Sequence, residues 1–83
     1  MENSVMLYTL SSCIHCKKTK QFLEDHNVDY QATEMDLLRG EERSSAMNNL
    51  KELNPRLTFP TIIIGNRVIV GFREDEIMEA LDI

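Results

Sequence analysis

Apolar residues fall along this chain in two rhythms, and each change of rhythm marks an element. Val5-Met6-Leu7-Tyr8-Thr9 is a short, mostly apolar run closed by Ser11-Ser12, which predicts a buried strand. From Cys13 the spacing turns helical. Cys16, Thr19 and Leu23 recur at i, i+3 and i+7 with Phe22 beside them, while Lys17, Lys18, Lys20 and Glu24 take the other side. His26-Asn27 ends that helix, and residues 28–35 are expected to form a second strand with weak alternation. Gly40 then punctuates the chain. Residues 41–53 read as a helix with Ala46, Met47, Leu50 and Leu53 on its apolar face, stopped by Asn54-Pro55. Residues 60–64 and 67–70 read as strands of a hairpin turned at Gly65-Asn66. Gly71 breaks the second of these. A last helix is expected over 74–81, with acidic residues in its first turn complementing the helix dipole and Ile77, Met78 and Leu81 facing inward.

The resulting order is strand, helix, strand, helix, hairpin, helix, an α/β class. The first three elements predict a right-handed βαβ unit with parallel strands, and the hairpin adds two antiparallel ones. The expectation is a four-stranded mixed sheet flanked by helices on both faces. At 83 residues the chain has room for one core, so residues 1–83 are read as a single domain, and a hydrophobic fraction of 42% is enough to build it. A net charge of −5 argues against general nucleic-acid binding, which needs a basic surface to replace counterions. Lys17, Lys18 and Lys20 are a local exception, either a solvated helix face or a small docking patch. The start of the chain carries no basic region, and its longest aliphatic run is Ile62-Ile63-Ile64. The expectation is a cytoplasmic protein with no membrane association.

Only two cysteines are present, three residues apart. A stapling disulfide closes a long loop, so stapling is the weaker reading of this pair, and in a reducing compartment paired cysteines are catalytic or metal-binding. Cys13 falls where a strand gives way to a helix. There the unpaired backbone N–H groups and the positive end of the dipole favour a thiolate nucleophile. Cys16 lies one turn later on the apolar stripe, placed to attack a mixed disulfide formed at Cys13. Zinc would need four ligands, and the remaining soft candidates are His15, inside the turn, and His26, more than two turns away. Redox chemistry is therefore the expectation, with no bound metal. His15 is expected to tune the ionisation of Cys13, by charge or by hydrogen bonding; the plain alternative is an exposed histidine with no role. His26 reads as a helix-end residue.

The chain resembles the glutaredoxin family of the thioredoxin superfamily. The resemblance rests on Tyr8-Thr9 leading to Cys13-x-x-Cys16, then Thr58-Phe59-Pro60, then Val70-Gly71-Phe72 before an acidic-started helix. It implies a thioredoxin fold, βαβαββα, and a dithiol thiol–disulfide oxidoreductase with a redox-active Cys13–Cys16 disulfide and no other bound cofactor. It also implies a cis proline at Pro60 lying against the dithiol, and a substrate-binding surface drawn from Tyr8, Arg56, Thr58, Phe59, Pro60, Gly71 and Phe72. Three departures stand out. Where glutathione-using members usually carry a lysine, a valine and a glycine, this chain has Leu10, Phe59 and Phe72; Arg56 is placed to replace one lost charge contact. The segment Gly71-Phe72-Arg73-Glu74-Asp75 looks more like NrdH-redoxins, glutaredoxin-like carriers that take electrons from thioredoxin reductase and pass them to ribonucleotide reductase. The implied partners are disulfide-containing proteins, ribonucleotide reductase among the candidates, with thioredoxin reductase or glutathione as electron donor, acting on a monomer. Phe72 is expected either to join an apolar docking surface or simply to pack against the core. The alternatives are a glutathione-dependent glutaredoxin and a dimeric module holding an iron–sulfur cluster.

Overall fold

A computed structural model describes residues 4–82 of the chain. Strand β1 spans Val5–Thr9, helix α1 Ile14–Asp25, strand β2 Gln31–Glu34, helix α2 Gly40–Leu53, strands β3 Thr61–Ile64 and β4 Arg67–Val70, and helix α3 Glu74–Leu81. The sheet order is β2-β1-β3-β4, with β1 parallel to β2 and antiparallel to β3, and β3 antiparallel to β4. This is the four-stranded mixed sheet the sequence implies.

Each face of the sheet has its own core. On one face Val5, Leu7, Ile62, Ile64 and Ile69 pack with Phe22 and Leu23 of α1 and with Ile77 and Ala80 of α3. On the other, Tyr8 packs with Met35 and Leu50 of α2, and Leu10, Leu57, Phe59 and Ile63 close around them. The alternation of β1 and β3 is what divides these residues between faces. At the hairpin, Gly65 has φ 63° at the first central position, a left-handed conformation that favours glycine.

Two expectations need correction. The second strand is shorter than residues 28–35: Tyr30 precedes it, and Met35–Leu37 forms a short 3₁₀ turn that carries Met35 into the core. The register of β2 against β1 ends at Thr9↔Glu34, so residue 35 has no strand residue opposite it. Leu53 does not share the buried face of α2, whose fully buried residue is Leu50. On α3, Ile77, Met78 and Leu81 all face the first core as expected, Ile77 fully buried and the other two half-buried, and Ala80 joins them.

Lys20 also leaves the basic patch. Its Nζ lies 2.7 Å from Glu34 Oε1 and ties α1 to the end of β2, while Lys17 and Lys18 remain exposed.

Candidate functional site

The strand register brings the distant sequence blocks to one end of the sheet. Tyr8 pairs with Thr61, and Thr61 pairs with Val70. The C-terminal end of β1, the entrance to β3 and the exit of β4 are therefore adjacent. The chain leaves β1 into the Cys13 turn, enters β3 through Phe59-Pro60, and leaves β4 into Gly71-Phe72. The Phe59–Pro60 bond is cis, and Gly71 N–H donates to the Pro60 carbonyl at 2.8 Å. Gly71 has φ 90°, which suits glycine alone among the residues at this corner.

Cys13 is the N-cap of α1. Its extended backbone (φ −81°, ψ 119°) turns the chain into the helix, and its Sγ accepts the backbone N–H of Cys16 at 3.2 Å. The sulfur thus takes the place of the Ser or Asp oxygen that usually satisfies an orphan N–H at a helix start. An anionic sulfur accepts that bond more strongly than a neutral one. Cys13 is half-buried, whereas Cys16 is fully buried, and both are free thiols. Burial is the main force pushing the Cys16 thiol up to about 12; its hydrogen bond with Cys13 and the nearby sulfur charge add to this, and a backbone hydrogen bond at Leu10 and the Lys20 ammonium oppose it. One sulfur is accessible and one is held protonated.

The remaining candidates divide into surface and core. His15 is exposed; its carbonyl accepts the Thr19 hydroxyl at 2.8 Å, which helps to keep the first turn closed. Thr58 and Arg56 are exposed, Phe59 is half-buried and Pro60 is buried. Tyr8 is only 5% exposed and sits between Met35 and Leu50, so its side chain serves the core rather than an open surface. Phe72 is half-buried against the first core, with its ring edge-on to Phe22 at 5.8 Å between centroids. Packing therefore accounts for one side of its ring. His26 caps the other end of α1, its Nδ1 2.8 Å from the Phe22 carbonyl and its ring tilted over Phe22.

Two residues that sequence reasoning passed over organise the site. Asn54, which the sequence pattern marks as a helix stop, is 4% exposed. Its Nδ2 lies within 3.2 Å of the Thr58 carbonyl and within 3.1 Å of the Thr58 and Thr61 hydroxyls, and its Oδ1 accepts Arg56 N–H at 3.2 Å. It gathers the loop that leads to Pro60. Asp36 binds Ser11, two residues before Cys13. An Asn directly after a helix is ambiguous in sequence, since helix-stopping and loop-bracing use the same residue.

Fold and dithiol together define a protein of the thioredoxin-fold thiol–disulfide class. The glutaredoxin family model matches residues 5–69. Glutaredoxin 1 of Rickettsia bellii is 36% identical over 70 residues, covering 83% of this chain and 69% of that protein. The chain spans 43% of the length of the mouse mitochondrial glutaredoxin-2, to which it is 32% identical. Among solved structures, the methanoredoxin of Methanosarcina acetivorans has a TM-score of 0.91 at 42% identity, covering 99% of this chain and 87% of that one. The NrdH-redoxin of Escherichia coli has a TM-score of 0.76 at 26% identity, covering 92% of each chain. The chain belongs to the glutaredoxin family of thiol–disulfide oxidoreductases.

Proposed function

We propose that this protein is a dithiol carrier that reduces protein disulfides, with Cys13 as nucleophile and Cys16 as resolving thiol. The asymmetry of the two sulfurs supports the reading best: an accessible Cys13 Sγ holding the Cys16 N–H, over a Cys16 that is fully buried. In the first step the Cys13 thiolate attacks one sulfur of a substrate disulfide. A Cys13–substrate disulfide forms, the substrate S–S bond breaks, and the leaving thiolate takes up a proton. In the second step Cys16 gives up its proton and attacks Cys13 Sγ. The Cys13–Cys16 disulfide forms, the second substrate thiol departs, and two electrons have passed to the substrate. An external dithiol or a pair of thiols then reduces the protein.

The surroundings of the dithiol favour a protein partner over a small peptide. Ile14, which follows Cys13, is 67% exposed, and Leu37, which follows the Asp36 that binds Ser11, is 62% exposed. Among the described residues, the backbone N–H and C=O of Phe59 take no intrachain hydrogen bond, leaving them available to an extended substrate segment. Leu10 packs against the second core, where glutathione-using members are expected to offer a lysine, and the Phe72 ring stands where they have a glycine. Losing one charge-assisted contact costs about 1.5–3 kcal/mol, roughly a tenfold to hundredfold loss of affinity. Thioredoxin reductase is therefore proposed as the electron donor in preference to glutathione, and disulfide-forming enzymes such as ribonucleotide reductase as acceptors. A monomer in the cytoplasm, where a dithiol is kept reduced, is the proposed working form.

Turnover of a model disulfide with NADPH tests the choice of donor, comparing thioredoxin reductase with glutathione plus glutathione reductase. The expected outcome is faster turnover with thioredoxin reductase. Efficient glutathione-coupled turnover with no response to thioredoxin reductase would overturn it.

A further inference from the structure

Cys13 is reached through a tight turn. Its N–H donates to the Leu10 carbonyl at 3.2 Å, with Ser11 and Ser12 at the corners. The parallel pair β1/β2 ends at Thr9↔Glu34, and two residues beyond each strand end stand Ser11 and Asp36. Asp36 lies in the Met35–Leu37 turn and grips Ser11 at two points: Oδ1 accepts its N–H at 3.0 Å, and Oδ2 accepts its hydroxyl. Two side-by-side carboxylate oxygens suit two donors on one residue.

Asp36 is exposed, so this grip lies outside both cores. Nor does its charge help an anionic sulfur, since a carboxylate near a thiolate is repulsive. What it does is hold the corner of the turn that ends in the nucleophile. The two bonds from Ser11 keep the Asp36 carboxyl below the usual carboxylate range.

We infer that Asp36 is a positioning residue for the exchange reaction: by clamping Ser11 it fixes the 10–13 turn so that Cys13 Sγ stays at the start of α1, on the Cys16 N–H. The inference rests on Cys13 being the nucleophile. The hydroxyl of Ser11 completes the clamp, and Ser12 has no part in it.

The test compares alkylation of the reduced full-length protein across pH, with thermal melting as a control for folding, in Asp36→Ala, Asp36→Asn and Ser11→Ala. An asparagine preserves the clamp without the charge, because its amide oxygen accepts Ser11 N–H and its amide nitrogen donates to the hydroxyl. Asp36→Ala is expected to shift the alkylation profile to higher pH by about half a unit, roughly a threefold loss of reactivity below the midpoint. Asp36→Asn is expected to restore it, and Ser11→Ala to give a smaller shift in the same direction. An unshifted profile in both Asp36→Ala and Ser11→Ala would overturn the inference. So would an equal shift to lower pH in Asp36→Ala and Asp36→Asn, which would mean that only the charge matters. Labelling of Cys16 ahead of Cys13 in the unaltered protein would instead overturn the reading on which it rests.

Discussion

Burial holds the Cys16 thiol at about 12, against an ordinary value of 9.0, and this has consequences that pH exposes. In the unfolded chain the thiol ionises three units sooner. Its contribution to stability is therefore present below pH 9 and lost as pH rises toward 12. Tyr30, held up to about 12 by burial and by its hydrogen bond to Glu24, follows the same sign, so the difference between parent and variant isolates the thiol. Denaturant titrations of the reduced protein and of Cys16→Ala between pH 8 and 11 should show the steeper loss in the parent. Parallel curves would mean that the thiol is not desolvated. His15 is the second residue whose role a single change tests. His15 is exposed two residues after Cys13, and His15→Val is expected to move the thiolate absorbance titration to higher pH and make the disulfide harder to reduce. An unchanged titration and an unchanged equilibrium with a reference dithiol would show the imidazole to be a bystander. The placement of Cys13 at the helix start and of Cys16 buried one turn later was legible from spacing and periodicity alone, because both depend on one helix turn. Asn54 and Asp36 were not, because their partners lie in a loop and across two strands, and no local pattern encodes such a pairing.

At the scale of elements, the segment entering β3 depends on Asn54. Asn54→Ala would leave the Thr58 carbonyl and the Thr61 hydroxyl with one partner fewer in a buried setting, while their own 2.8 Å bond remains. A loss of about 1–3 kcal/mol in unfolding free energy is expected from chemical denaturation. A loss below about 0.5 kcal/mol would show that the loop is braced by other contacts. The Lys20–Glu34 pair joins α1 to β2 at a partly exposed position, so Lys20→Met should cost no more than about 1 kcal/mol. The helices and the hairpin followed from sequence because their signals are long or highly specific: a 3.6-residue stripe, acidic first turns, and a glycine at the turn. The bounds of the second strand are illegible for the opposite reason. Its residues Gln31-Ala32-Thr33-Glu34 carry no strong alternation, and both ends are set by pairing with β1 rather than by their own composition. The exposure of Leu53 has a similar cause. Leu53 is 36% exposed between the buried Leu50 and Asn54, and only the tertiary placement of the helix determines which of these positions the core covers.

For the molecule as a whole, the sheet register gathers three sequence blocks at one end, and the choice of partner depends on what lines that end. Restoring at Leu10 and Phe72 the lysine and glycine of glutathione-using members would test that choice, and the two positions differ in what each side chain holds. Phe72 packs edge-on to Phe22 against the first core, so Phe72→Gly would cost about 1–3 kcal/mol and confuse binding with unfolding. Leu10→Lys is the cleaner change, because a lysine there can lay its stem along the apolar surface and keep its charge in water. It is expected to raise glutathione-coupled turnover while leaving the melting temperature nearly unchanged, and no gain would show that the missing cation is not what limits glutathione. All of this presupposes the division of labour between the two sulfurs. The most direct test is to mix reduced Cys13→Ser and Cys16→Ser variants separately with a disulfide-bonded protein substrate and map any covalent adduct by mass spectrometry. A stable adduct through Cys13 in Cys16→Ser, with none in Cys13→Ser, is the predicted result. An adduct through Cys16 in Cys13→Ser, formed at a comparable rate, would contradict it.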